Sequence, residues 1–313
     1  MPVELPPIPR RRFLAGSLAA GVSLAFGRTL LGGDVAVDAL AGTSQEASAA
    51  NRFALLSDLH IHADRGTRTR GVNQFRNLRR VCREFLSAPT AERPAAALVC
   101  GDCSLTRGDT RDYATLLSAL QPVRKGGVPV HLALGNHDHR GRFRQALRPL
   151  LQEPGYREMT DRHVGVLASP HANWFLLDSL DHTNAIPGRL GSRQIAWLSS
   201  ALDANPNKPA LVFVHHPPGG EEALTDYRSL MAALLPRRQV KALFYGHTHF
   251  WSVSQYQGLH FINLPPVAYL FRKGDPNGWV DARLKPGGAT LELRCLNPRH
   301  PRHAETHHLE WRV

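Results

Sequence analysis

Along residues 52–296, short apolar runs alternate with polar loops and with stretches of helical spacing. "RFALLS" (52–57), "AAALVC" (95–100), "VPVHLAL" (128–134), "PALVFV" (209–214) and "VKALFY" (240–245) read as buried strands. Between them, 71–87 carries Leu78, Val81 and Phe85 at helical spacing, and 110–120, 141–151 and 192–202 read as further helices. Buried strands alternating with helices predict an α/β fold with a largely parallel sheet. "HVGVLAS" (163–169) and "NWFLLDS" (173–179) look like neighbouring strands. Strands at 251–256, 259–264, 279–284 and 289–296 predict a second sheet, with Gly/Pro-rich loops at 217–220 and 285–288. No repeat of solenoid spacing and no linker interrupts the chain after residue 52, so 52–313 reads as one domain.

The first residues follow a different pattern. "PRRRFLAGSLAAGVSLAFG" (9–27) is a basic cluster followed by a mildly apolar segment, and "DALAG" (38–42) has an A-x-A pattern ending at Ala41. That is the layout of a secretory signal. With Arg10, Arg11, Arg12, Phe13 and Leu14 it resembles a twin-arginine signal. The resemblance implies export of a folded, cofactor-loaded protein by the twin-arginine machinery, and a periplasmic or otherwise exported location. Residues 1–41 are therefore read as signal peptide and 42–51 as linker. No run reaches the ~20 apolar residues of a transmembrane span.

Composition narrows the chemistry. The 313 residues are 42% hydrophobic, enough for a sizeable core, and carry a net charge of +12. Such a balance favours anionic partners. The arginines of "RNLRRVCREF" (76–85) fall mostly between apolar positions, as on a solvated helix face, so nucleic acid is not the favoured partner. Four cysteines are too few for a disulfide scaffold, and Cys100 and Cys103 close a strand rather than open a redox helix.

Candidate chemistry sits where the strands end. Asp58 with His60, Asp102, Asn136 with His137, His215 with His216, and His247 with His249 each follow an apolar run. Ligands of open parallel sheets gather at the carboxyl ends of strands. Carboxylates, imidazoles and one amide are the donor set of a divalent-metal site. In "DLH" and "GHTH" the polar pairs stand at i and i+2, which places both side chains on one side of an extended segment. Each cluster alone has an ordinary explanation as a cap or loop residue. Their coincidence points to a dinuclear centre, with Asp102 able to bridge two cations.

In order, "DLH", "GD", "GNHD", "HHP" and "GHTH" resemble the calcineurin-like metallophosphoesterases over about 52–264. "GDCSLTRGDTRDY", "GNHDHRGRF" and "LGSRQIAWL" resemble the class III cyclic-nucleotide phosphodiesterase and glycerophosphodiesterase branch. The resemblance implies a four-layer α/β/β/α sandwich with two facing mixed β-sheets. It implies a first metal held by Asp58, His60, Asp102 and His249, and a second by Asp102, Asn136, His215 and His247. His215 is preferred to His216 because the family ligand stands two residues before the proline. It implies two divalent ions, Fe, Mn or Zn. Purple acid phosphatases place a tyrosine three residues after the bridging aspartate, and Leu105 stands there instead, so an iron–tyrosinate site is not expected.

The implied reaction is hydrolysis of a small anionic phosphodiester, or monoester, by a hydroxide held between the cations. His137 would be the general acid, oriented by Asp138. His139 and Arg140 read equally as substrate contacts or structural residues, Cys103 as packing, and the His-rich 299–308 as surface. A nuclease of the same fold and a non-catalytic metal-stabilised binding protein are the alternatives. A zinc peptidase is disfavoured because no H-E-x-x-H occurs.

Overall fold

A computed structural model describes residues 50–151, 156–159 and 161–313. The signal peptide and nearly all of the linker read from the sequence lie outside the described residues.

The strands are β1 (Arg52–Leu56), β2 (Ala96–Cys100), β3 (Val130–Ala133), β4 (Tyr156–Met159), β5 (Arg162–Ala168), β6 (Asn173–Leu176), β7 (Ala210–Phe213), β8 (Val240–Tyr245), β9 (Ser252–Tyr256), β10 (Leu259–Asn263), β11 (Gly278–Lys285), β12 (Gly288–Cys295) and β13 (Thr306–Glu310). The helices are α1 (Gln74–Leu86), α2 (Thr110–Lys125), α3 (Arg140–Ala146), α4 (Arg148–Leu151), α5 (Ser192–Asp203) and α6 (Tyr227–Leu234). One sheet has the order β13-β12-β11-β1-β2-β3 and the other β4-β5-β6-β7-β8-β10-β9.

Strand alternation builds the layers. Phe53, Leu55 and Leu98 of the first sheet meet Trp174, Leu211, Phe213 and Phe244 of the second in one buried cluster. The opposite faces of the same strands bury Ala54, Leu56, Ala97 and Val99 against Leu78, Val81, Phe85 and Leu116 of α1 and α2. Phe175, Val212 and Leu243 likewise face Leu198, Leu202, Leu230 and Leu234 of α5 and α6. Each large apolar side chain so buried contributes about 1.5–3 kcal/mol. The result is the α/β/β/α sandwich, with both faces of both sheets covered along their parallel strands.

Several elements depart from the sequence reading. The four late strands do not form a sheet of their own. β10 pairs parallel with β8 and antiparallel with β9, extending the second sheet. β11 pairs antiparallel with β1, and β12 and β13 follow it at the edge of the first. Both sheets are therefore mixed, as the family resemblance implied and the strand–helix alternation by itself did not, and the segment between β10 and β11 crosses from one to the other. α2 runs past Pro122, at the cost of one helical hydrogen bond, and the turn beyond it buries Val123 in the core. α6 and β13 occupy stretches to which the sequence reading gave no element; Leu230, Met231 and Leu234 bury one face of the first, and Leu309 anchors the second.

Candidate metal centre

The ends of β1, β2 and β3 in one sheet and of β7 and β8 in the other open on a common mouth between the sheets. Asp58, His60, Asp102, Asn136, His215, His247 and His249 all lie there, and all are buried. His60 Nε2 is 3.0 Å from His249 Nε2 and 3.5 Å from Asp102 Oδ2. His249 Nε2 is 3.5 Å from Asp58 Oδ1. On the other side of Asp102, Oδ1 is 3.4 Å from His215 Nε2. Asn136 Oδ1 is 3.3 Å from His215 Nε2 and 2.9 Å from His247 Nδ1. Of the adjacent pair, His215 faces Asp102, while His216 turns its Nδ1 to Ser179 Oγ at 2.8 Å.

The backbone reaches this arrangement by left-handed turns, not by pleat alternation. Asp58, His60, Asp102, His247 and His249 have φ of 53°, 47°, 48°, 68° and 52°. "DLH" and "GHTH" are therefore not extended as their i, i+2 spacing predicted, although each pair does converge. The first loop is held over the second by His60 N–H to Asp102 O (2.9 Å) and Ile61 N–H to Cys103 O (3.1 Å). Non-glycine residues in this conformation cost of order 1–3 kcal/mol each and cluster at functional sites.

Ring partners fix which nitrogens face inward. Nδ1 of His60, His215 and His249 lies 3.3, 2.6 and 2.7 Å from the carbonyl oxygens of Leu105, Cys100 and Tyr269. A carbonyl only accepts, so each Nδ1 carries a proton and, in the neutral ring, each Nε2 presents a lone pair to the mouth. Lone pairs of imidazole nitrogens, carboxylate oxygens and an amide oxygen thus converge at 3.0–3.5 Å. The buried Asn136 Nδ2 has no hydrogen-bond partner among the described residues, so the amide is held by its oxygen side alone. With the rings neutral these groups set acceptor against acceptor, an arrangement that cations complete, and imidazoles backed by carbonyls are how proteins orient metal ligands. The groups Asp58–His60–His249, His60–Asp102–His137 and Asp102–His215–His247 each bring their donor atoms within 4.8 Å, so the residues present fit divalent metal ions. Left to protein partners, burial would lower His215, but the Asp102 carboxylate overrides it and pulls the imidazole up to about 9. Burial pushes His60 down to about 4 against the opposing pull of Asp102.

Neighbouring residues divide into facing and supporting groups. His137 lies beside His60, ring centroids 5.2 Å apart, and its Nδ1 is 3.0 Å from Thr106 O. Thr106 thus takes the orienting part that the sequence reading gave to Asp138. Asp138 is buried and accepts from Cys103 N (3.1 Å), Ser104 N (3.1 Å), Gly135 N (2.9 Å) and the Tyr113 hydroxyl (3.1 Å). It ties the second and third loops together. Burial, reinforced by Asp102, pushes its carboxyl up to about 6. Arg140 is structural, its guanidinium on both oxygens of buried Asp178 at 2.7 and 3.0 Å, and His139 caps α3. Cys100 and Cys103 are buried free thiols, pushed well up by burial.

Four mouth residues escaped the sequence reading. Phe271 stacks on His249 at 4.3 Å, Tyr269 lies 4.8 Å from the same ring, and the Arg70 guanidinium sits over both aromatics at 5.1 and 5.8 Å. Glu222 Oε2 lies 3.4 Å from His247 Nε2. No motif marks them; "NLPPVAYLF" (263–271) offers only aromatics after a strand, and "GGEE" (219–222) reads as a loop.

Residues 51–250 match the family described as calcineurin-like phosphoesterase. A probable cyclic nucleotide phosphodiesterase of Psychrobacter arcticus is 28% identical over 192 residues, 58% of this chain and 66% of that one. The glycerophosphodiester phosphodiesterase GpdQ of Enterobacter lignolyticus is 28% identical over 185 residues, 57% and 64%. The chain thus spans slightly under two thirds of the length of these two relatives. The 3',5'-cyclic adenosine monophosphate phosphodiesterase CpdA of Pseudomonas aeruginosa is 28% identical over 247 residues, 76% and 84%. Among solved structures, a dimetal phosphatase from Danio rerio superimposes with a TM-score of 0.66 at 15% identity, covering 83% of this chain and 99% of that one; the likeness is one of fold.

Proposed function

The chain belongs to the calcineurin-like phosphoesterase family, and from that premise we propose that it is an exported phosphoesterase that uses two divalent cations to hydrolyse small anionic phosphodiesters. The observation that carries this reading is the convergence of imidazole, carboxylate and amide donor atoms from both sheets on the two sides of Asp102. Asp58, His60, Asp102 and His249 would hold one cation, and Asp102, Asn136, His215 and His247 the other. When bound, the cations would supply Lewis acidity toward phosphoryl oxygens and a water acidic enough to ionise near neutral pH.

The chain's own residues do the rest. Asp102 offers Oδ2 toward the His60 side and Oδ1 toward the His215 side, 3.5 and 3.4 Å from those rings. Asn136 supplies an oxygen without adding negative charge where an anionic substrate must approach. His137 Nδ1–H stays on the Thr106 carbonyl, so a proton delivered to a departing alkoxide comes from Nε2 of the imidazolium. The net charge of +12 favours encounter with anions. Relatives named for cyclic nucleotides and glycerophosphodiesters support a diester. The twin-arginine-like leader supports export, which makes extracytoplasmic nucleotides, glycerophosphodiesters or lipid head groups the natural substrates.

The test is hydrolysis of bis-p-nitrophenyl phosphate beside p-nitrophenyl phosphate with Mn²⁺, by the wild type and Asn136→Ala. Diester turnover exceeding monoester turnover, with most of it lost in the variant, is expected. Diester turnover unaffected in Asn136→Ala would overturn the reading.

A further inference from the structure

Three of the inward-facing histidines are backed by main-chain carbonyls: His60 by Leu105, His215 by Cys100 and His249 by Tyr269. His247 is built the other way round. Its Nδ1, not its Nε2, faces Asn136 Oδ1 at 2.9 Å, and its Nε2 lies 3.4 Å from Glu222 Oε2. Nε2 is buried and finds no hydrogen-bond partner among the described residues, so the carboxylate at ion-pair distance is the acceptor on hand. The His247 side chain is 5% exposed and that of Glu222 56%. Glu222 is nonetheless held near its post, since the loop around it closes by Ala223 N–H to Gly220 O (3.3 Å) and Leu224 N–H to Pro217 O (3.0 Å).

We propose that Glu222 is a positioning residue that keeps the proton of His247 on Nε2, and so keeps the Nδ1 lone pair aimed at the second of the two cation positions. The inference rests on the dinuclear reading above and deepens it. A main-chain carbonyl cannot leave without the fold, whereas a half-exposed carboxylate on a surface loop can. The second position is therefore the one whose ligand set depends on a side chain, and it is the weaker of the two. Carboxylates that back a ligating imidazole typically account for 10–100-fold in metal affinity.

Calorimetric titration of the metal-free protein with Mn²⁺ alone separates the two positions. The wild type is expected to take up two equivalents. In Glu222→Ala the second should bind 10–100-fold more weakly and the first as before. Glu222→Gln should recover most of that loss, because its amide oxygen still accepts the Nε2 proton. An unchanged second equivalent in Glu222→Ala overturns the proposal, as does an equal weakening of both equivalents. Glu222→Gln as weak as Glu222→Ala also overturns it, since charge rather than the tautomer would then matter. Wild-type protein that takes up fewer than two equivalents overturns the dinuclear reading itself, and this proposal with it.

Discussion

The side chains of the mouth either present heteroatoms to one another or hold the loops that do so, and substitution separates the two groups. His137 belongs to the first. His137→Ala should bind Mn²⁺ as the wild type does, yet lose about 10²–10⁴-fold on alkyl phosphodiesters. It should lose far less on nitrophenyl esters, whose leaving group needs no proton. Equal losses on both, compared by kcat, would remove the acid role. Asp138 belongs to the second group. Asp138→Ala strands three buried N–H groups and the Tyr113 hydroxyl. At about 1–3 kcal/mol for each of these four donors, denaturant unfolding should show a loss of at least about 4 kcal/mol. Residue types alone hinted at a site but not at this division. Asp138 follows His137 in sequence, yet two of its partners come from the loop after β2 and a third from α2, and Arg140 is spoken for by Asp178 in the loop after β6.

At the scale of elements, strand ends set the site and glycines permit it. A Cβ at Gly135 would stand 2.1 Å from Asp102 Oδ1 and 2.3 Å from its backbone nitrogen. Gly135→Ala should therefore displace Asp102 and weaken Mn²⁺ binding more than tenfold, while far-ultraviolet circular dichroism stays that of a folded protein. Unchanged binding would mean that the loops shift without moving the carboxylate. Buried strands and amphipathic helices were legible because continuous apolar runs and a period of 3.6 are written locally. The left-handed turns at Asp58, His60, Asp102, His247 and His249 were not, since an aspartate or histidine at positive φ has no sequence mark of its own. α6 was passed over because it is a short helix behind a Gly/Pro-rich loop, and only packing on the second sheet gives its apolar face a purpose.

Across the whole molecule, the two sheets are joined by polar as well as apolar contacts. His163 on β5 places Nε2 2.8 Å from Leu132 O on β3, bridging one sheet to the other. Burial holds His163 and His131 down at about 4, from an ordinary 6.5. Their folded values lie below their unfolded ones, so the unfolded chain binds the extra protons. Stability is then full above about pH 6.5 and is lost as pH falls from there toward 4, by up to about 3 kcal/mol per histidine. His163→Leu should be less stable at pH 7.5, where the bridge is lost, and should show a shallower decline in denaturation midpoint between pH 6.5 and 4.5. A decline as steep as the wild type's would assign the acid sensitivity elsewhere.

What the chain determined by itself is what neighbours along it can encode: buried strands and solvated helices, and the kinds of atom that wait at each strand's end. Asp58, Asp102, Asn136, His215 and His247 follow their strands for that reason, and the order of their motifs was enough to bring the fold family into view. The tertiary structure decided where the late strands go, because a strand's period does not say which edge it will pair with. It also decided which nitrogen of each imidazole faces inward. That choice is made by an acceptor far away in sequence: Cys100 O for His215, 115 residues off, Tyr269 O for His249, and Glu222 for His247. A proton sits where its acceptor is, and the acceptors meet only when the chain has folded.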